Sequence, residues 1–223
     1  YVRVLKYYEQ AKSVYGDDPA LNLSASNNRG NALRDMGRFV DAEKQYRTAL
    51  SVATEMESPL LQTRILNNLA FAQFSQSNFD QADATAVQGL LLVSGAATDW
   101  EPFLWGTRAQ VALAQNQFEK ADSCVRKTFE RVDLEKSTME YRDYHEAAFN
   151  LYKNQGKTSK ALTHLEAYKR LSDNSRDLKA STNASLLAAQ FDDANRELRI
   201  SKLEAEEAQN EMALSKSCRL TDW

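Results

Sequence analysis

The chain of 223 residues has a formal net charge of −3, with 28 Lys and Arg against 31 Asp and Glu. This balance lacks the basic excess typical of nucleic-acid-binding domains, so we expect no nucleic-acid partner. No apolar run approaches the roughly 18–20 residues of a transmembrane helix, so we expect no membrane span within this chain. With only 7 Gly and 3 Pro, the composition favours long helices joined by short links.

The first predicted element is a helix near residues 1–15, within the segment "YYEQAKSVYGDDP" and the residues before it. Asp18 and Pro19 end this helix and begin the next, because Asp is a preferred N-cap and Pro suits the first helical position. We interpret residues 1–19 as the second helix of a truncated repeat. We therefore expect the chain to be a fragment of a larger protein.

A repeat of about 40 residues follows. Small residues recur at spacings of 40, 39 and 40, at Ala42, Ala82, Ala121 and Ala161. Five residues before each stands a turn-compatible residue: Gly37, Ser77, Asn116 and Gly156. Apolar residues have helical periodicity on both sides of this break, so each unit is predicted to be helix, turn, helix. The predicted helices lie near 21–36, 39–57, 59–76, 79–94, 100–115, 118–132, 138–155 and 158–172.

These units resemble the tetratricopeptide repeat (TPR) family. The matching residues are Gly30, Leu33, Gly37, Ala42, Tyr46 and Ala49, then Leu69, Ala70, Ala82 and Ala86, then Trp105, Ala109, Ala112 and Ala121, then Tyr152, Gly156, Ala161 and Leu165. The period differs from the 34 residues of the family's basic form. The resemblance implies an all-α solenoid of helix hairpins over residues 1–172 that binds a protein or peptide.

After Leu171 the repeat pattern stops, and residues 173–223 are predicted to form one long helix to about residue 215. Apolar residues seven apart suggest a coiled-coil seam: Phe191, Leu198, Ala205 and Met212. Two interpretations stay open. The helix caps the last repeat, or it connects two chains as a homodimer, and these functions are compatible along different parts of it.

Residues 138–212 resemble the end of the TPR region in bacterial signalling proteins. In those proteins a similar helix leads to a membrane span and then to a diguanylate cyclase (GGDEF), histidine kinase or DNA-binding domain. The resemblance implies a signal-input domain and favours the periplasmic part of an inner-membrane protein. The alternative is a soluble cytoplasmic adaptor in which the long helix only caps the solenoid.

No phosphate loop, G-x-S-x-G or C-x-x-C motif is present. A metal site needs more suitably spaced ligands than the two histidines provide, so His145 and His164 are predicted to be ordinary helix residues. We expect no catalytic residue, no metal and no cofactor in this chain.

The predicted binding surface is the concave face, which the first helix of each TPR hairpin lines. Its candidate residues are Asn27, Asn31, Arg34, Arg64, Asn67, Asn68, Phe71, Phe74, Phe103 and Gln110. Because an asparagine amide both donates and accepts, a ladder of asparagines can hold an extended peptide backbone. The alternative is that these amides bond neighbouring helices or water. Asn31 and Asn68 match two backbone-clamping places of TPR domains that bind a C-terminal carboxylate, but Asn27, Phe103 and Thr107 occupy the cationic places, so that clamp is incomplete.

Overall fold

The structure, a computed structural model, describes residues 18–220. Within this range the side chains of 186–188, 190, 193–194, 197–198 and 203–220 are not described. The prediction of a helix near residues 1–15 lies outside the described residues. The chain divides into two compact units, Tyr1–Leu171 and Ser172–Trp223.

Every regular element between residues 18 and 220 is helical, which confirms the all-α prediction. The α-helices are α1 (Pro19–Asp35), α2 (Phe39–Glu55), α3 (Pro59–Ser75), α4 (Phe79–Leu91), α5 (Glu101–Ala114), α6 (Phe118–Phe129), α7 (Arg142–Asn154) and α8 (Thr158–Leu220). Short 3-10 helices, Gly95–Trp100 and Met139–Tyr141, precede α5 and α7. Consecutive helices pair as hairpins, α1 with α2, α3 with α4, α5 with α6, and α7 with the beginning of α8.

The predicted helix start at Asp18-Pro19 is confirmed, and α3 begins in the same way at Ser58-Pro59. The Asp18 carboxylate accepts hydrogen bonds from the backbone N–H of Ala20 at 2.8 Å and of Leu21 at 3.2 Å. The Ser58 hydroxyl accepts from the backbone N–H of Leu61 at 3.4 Å. Each cap satisfies N–H groups that have no partner within the helix.

All four hairpins turn through the same backbone conformation. Gly37, Ser77, Asn116 and Gly156 have φ values of 72°, 62°, 58° and 68°. In each turn the N–H of the following residue reaches back five residues, as in the bond from Arg38 N to the Leu33 carbonyl oxygen at 2.9 Å. This pattern is the Schellman motif, which satisfies the last carbonyl groups of the first helix.

Small residues let the two helices of a hairpin approach closely. Ala42, Ala82 and Ala121 are fully buried, and Ala161 is 6% exposed. On the facing helix, a Cβ atom added to Gly30 would lie only 2.5 Å from the Tyr46 ring. A larger residue at these places would therefore push the helices apart.

The core lies between the hairpins as well as within them. One cluster joins α1, α2 and α3 around Leu33, Tyr46 and Ile65. A second joins α5, α6, α7 and the first turn of α8, with Val125 and Leu151 among its members. Because each cluster draws on adjacent hairpins, a hairpin is stabilised mainly by its neighbours, as in other repeat proteins.

One predicted boundary is wrong. The sequence pattern separates a helix over 158–172 from the long helix that follows, whereas α8 is a single helix over Thr158–Leu220. Burial stops near the predicted point, since Ala161, His164, Ala167 and Leu171 are buried and no described side chain after them is. The helix continues because residues 158–220 contain no Gly or Pro to interrupt it.

Within residues 18–220, no helix is both long enough and apolar enough to cross a membrane.

Replacing the buried Ala82 with Leu is expected to lower the free energy of unfolding by about 1–3 kcal/mol, because the added atoms overpack the contact between α3 and α4. Ala84 lies on the same helix but is exposed, so Ala84→Leu is the matched control. Urea denaturation of both variants measures the difference. Equal stability of the two variants would mean that α3 and α4 do not pack through Ala82.

Candidate functional site

The first helices of neighbouring hairpins, α1, α3, α5 and α7, are joined by polar side chains. We call the side that they form the first-helix face. Between α1 and α3, the Asn68 amide nitrogen donates to the Asn27 amide oxygen at 3.0 Å. Asn27 is buried and Asn68 is half-buried, so this bond forms at the margin of the helix contact.

The same kind of contact continues along the face. The Thr107 hydroxyl of α5 donates to the amide oxygen of the buried Asn67 of α3 at 3.4 Å. It also lies 3.5 Å from the Tyr144 hydroxyl of α7. Burial raises the pKa of Tyr144 to about 12, so this phenol stays protonated and available as a donor. These two bonds are long and therefore weak, but they connect three consecutive hairpins.

Asn31 contacts its own hairpin. Its amide oxygen accepts from the hydroxyl of the fully buried Tyr46 at 2.9 Å. All four asparagines thus have a partner on another helix, as expected if their amides bond neighbouring helices instead of a ligand. An asparagine side chain has four hydrogen-bonding sites, so these bonds leave capacity on the half-buried Asn31 and Asn68. Peptide binding by the asparagines remains a prediction.

The predicted aromatic residues of the face form two groups. Phe71 and Phe74 of α3 have ring centroids 6.5 Å apart, and the Arg34 guanidinium lies 5.9 Å from the Phe71 centroid. Phe103 of α5 packs against Tyr141 at 5.0 Å and against Tyr144 at 6.2 Å. The side chains of Phe71, Phe74 and Phe103 are half-buried, so each exposes part of its ring.

Two of the predicted residues have buried polar atoms that no described residue satisfies. These are Nε of Arg64 on α3 and Oε1 of Gln110 on α5. Gln110 is 9% exposed. An unsatisfied buried donor or acceptor costs about 1–3 kcal/mol, and a ligand recovers that free energy once a side-chain rotation brings the atom to the surface.

The predicted connector residues lie on α8. Phe191 is 69% exposed. Leu198, Ala205 and Met212 belong to the same helix, but the structure does not describe their side chains. The connector function therefore remains a prediction.

A second polar cluster, in the last hairpin, was not predicted. Nδ1 of His145 on α7 lies 2.9 Å from Nδ1 of His164 on α8, and Nε2 of His145 lies 3.0 Å from the Ser137 hydroxyl. His145 is fully buried and His164 is 5% exposed. The Arg170 guanidinium donates to the Ser137 hydroxyl at 3.0 Å and to the Leu134 carbonyl oxygen at 3.3 Å.

The spacing of the two histidines from the turn at Gly156 is sufficient to predict that they lie close together. His145 precedes Gly156 by 11 residues, and His164 follows it by 8, so an antiparallel hairpin places both on facing helices at a similar height. Burial lowers the pKa of His145 to about 3, with the neighbouring His164 and Arg170 acting in the same direction. Burial, together with the nearby Lys160, lowers the pKa of His164 to about 4. Both imidazoles are therefore neutral at pH 7.

Among the side chains that the structure describes, no group of three His, Cys, Asp or Glu has the arrangement of a metal site.

No family model and no curated protein matches this chain in sequence. Two solved structures are similar in fold. BtubC (BKLC) from P. vanneervenii has a TM-score of 0.59 and 21% sequence identity, over 78% of this chain and 72% of that one. MamA has a TM-score of 0.51 and 11% identity, over 78% of this chain and 89% of that one.

The fold is thus a TPR-like α-solenoid of helix hairpins. At these identities the likeness concerns the fold alone.

We expect the free energy of unfolding to fall by about 2 kcal/mol for each of the two histidines between pH 7 and pH 5. Their pKa values are lowered in the fold, so in this range the unfolded chain binds protons that the folded chain excludes. Ordinary carboxyl groups, with pKa values of about 4, contribute little above pH 5. Urea denaturation at both pH values measures the effect.

The matched variant is His164→Gln, which should remove about half of that decrease because one buried histidine remains. A free energy of unfolding that is constant between pH 7 and pH 5 would mean that the pair takes up protons without unfolding.

Proposed function

We propose that this chain is a non-catalytic scaffold that binds an extended protein segment along the first-helix face. The observation that supports it best is the pair of unsatisfied buried atoms, Nε of Arg64 and Oε1 of Gln110. One is a donor and the other an acceptor. A polypeptide backbone offers the complementary carbonyl oxygen and N–H, whatever its sequence.

The surroundings of these atoms suit a polypeptide as well. Phe71, Phe74 and Phe103 provide partly exposed rings on the same helices, and such rings contribute apolar contact area to protein interfaces. Asn31 and Asn68 are held in place by Tyr46 and Asn27, so little side-chain entropy is lost when a ligand engages their remaining sites.

We further propose a function for this chain within a larger protein. It would act as the signal-input part of a larger bacterial signalling protein, with α8 carrying the response. Support comes from the resemblance of residues 138–212 and from the continuity of α8, which begins in the last hairpin and runs to Leu220. Phe191, exposed at the first of the heptad-spaced positions, would then contribute to pairing of two chains.

The sequence of the parent protein tests this context. An apolar segment of about 20 residues after Trp223 would support a signalling protein that spans the membrane. A stop codon or a polar tail would instead favour the soluble adaptor.

Gln110→Met is the sharpest test of the binding face. The substitution keeps the side-chain volume but removes the unsatisfied Oε1, so the free energy of unfolding should stay constant or rise by about 1 kcal/mol. Binding should nevertheless weaken about two- to tenfold, because the peptide loses one hydrogen bond. Peptides selected from a displayed random library serve as ligands, and calorimetry measures their affinity.

The control is Gln88→Met, which changes an exposed glutamine on α4, a second helix. If Gln110→Met destabilised the fold and left affinity unchanged, Gln110 would have a structural role only, and the peptide would bind elsewhere.

A further inference from the structure

A cleft is formed by the second helices of the last two hairpins, with Tyr152 of α7 and Leu134 of the preceding link. It lies between α6 and α8, with a volume of about 270 Å³. Its walls are Val125, Phe129, Leu134 and Tyr152, and its polar residues are Arg126, Lys160, Thr163 and His164. A dry cavity of about 150 Å³ can hold benzene, so this cleft has room for an aromatic ring and a short chain.

The charged residues of the cleft favour an anionic ligand. None of its described lining residues is acidic, and two are cationic. Arg126 is neutralised by Asp122, with Nε 3.2 Å from the carboxylate oxygen. Lys160 forms no ion pair with any described carboxylate, and its ammonium nitrogen lies 5.2 Å from the centroid of the Tyr152 ring. An anion would therefore find one uncompensated cation beside an aromatic wall.

His164 adds a polar group at the aromatic end of the cleft. Its ring centroid lies 4.8 Å from that of Phe129 and 5.6 Å from that of Tyr152. Because its Nδ1 is occupied by His145, Nε2 is the ring nitrogen available to a ligand.

The bond between the two Nδ1 atoms requires that one carries a proton and the other does not. If His164 donates, His145 Nε2–H donates to Ser137, and the Ser137 hydroxyl donates to the Leu134 carbonyl oxygen at 3.0 Å. If His145 donates, Ser137 donates to His145 Nε2, and Nε2 of His164 carries a proton. The first pattern contains one more internal hydrogen bond, so it is favoured in the empty cleft. The number of protons is the same in both.

We propose that this cleft binds a small aromatic monocarboxylate, with the ring between Phe129 and Tyr152 and the carboxylate at Lys160 and His164. A carboxylate accepts hydrogen bonds but cannot donate them, so it requires the second pattern, in which His164 Nε2–H faces it. Binding then shifts one proton on each histidine from one ring nitrogen to the other. The Thr163 hydroxyl, which donates to the Ser159 carbonyl oxygen, lines the same wall.

The probe is 3-phenylpropionate, and its neutral analogue 3-phenylpropanamide is the ligand control. Calorimetry should give a Kd on the order of a millimolar or below for the acid, as expected for a ligand of this size. The amide should bind at least about threefold more weakly, since it lacks the charge that Lys160 recognises. Equal affinity for the acid and the amide, or no binding of the acid, would overturn the proposal.

Two variants locate the ligand. Lys160→Gln should weaken binding of the acid about three- to tenfold, whereas Lys169→Gln, an exposed lysine on the same helix outside the cleft, should not change it. Thr163→Trp changes an exposed position and should abolish binding by filling the cleft. Unchanged affinity in Lys160→Gln or in Thr163→Trp would place the ligand elsewhere and overturn the proposal.

Nitrogen-15 NMR of the imidazoles provides an independent readout, because the chain has only two histidines. Addition of the acid should move the proton of His164 from Nδ1 to Nε2 and that of His145 from Nε2 to Nδ1. Saturating acid that leaves both tautomers unchanged would contradict the contact with His164.

Discussion

The left-handed turn residue is the constraint on which the repeat depends. At Gly37, Ser77, Asn116 and Gly156 the chain adopts a positive φ, which reverses its direction within a few residues. Because the turn is the same each time, the alanine five residues later always meets the same part of the preceding helix. A small side chain is then required at Ala42, Ala82, Ala121 and Ala161. Ser77 and Asn116 adopt this conformation at a cost of about 1–2 kcal/mol relative to their ordinary conformations, which the packing of the hairpins must offset.

Polar pairs, as well as the apolar clusters, join neighbouring hairpins. Asn27 with Asn68, and Asn67 with Thr107, join the first helices. Between the second and third hairpins, Asp83 of α4 accepts from Arg108 of α5 at 2.7 Å and from Lys120 of α6 at 2.9 Å. Burial alone would raise the pKa of Asp83, but these two cations hold it below its usual value. Such pairs add little net stability, but each has a strict geometry, so they fix how one hairpin is placed on the next.

The sequence predicts the helices and turns, because residues close together in the chain determine them. Turn residues, the cap at Asp18 and apolar spacing are enough to locate the helices within a few residues. The apolar pattern also marks the end of α8's buried face at Leu171, but that end does not coincide with the end of the helix. Side-chain partners between helices were not predictable, because they depend on the rotation of each helix about its axis. The repeat period leaves that rotation open, so Asn68 could equally have faced a ligand or Asn27.

The last hairpin differs from the others because a longer link leads into it, and α8 holds that link in place. Residues 130–141 join α6 to α7, and the carbonyl oxygens of Leu134 and Ser137 both accept from Arg170 on α8. The Ser137 hydroxyl is shared between Arg170 and His145, so the histidine pair and the contact with α8 use the same atom. In the favoured tautomer that hydroxyl donates to Leu134, and in the other it donates to His145. A ligand that selects the second tautomer therefore removes a hydrogen bond from the link that Arg170 holds. Occupancy of the cleft and the anchoring of the link on α8 are in this way coupled through one serine.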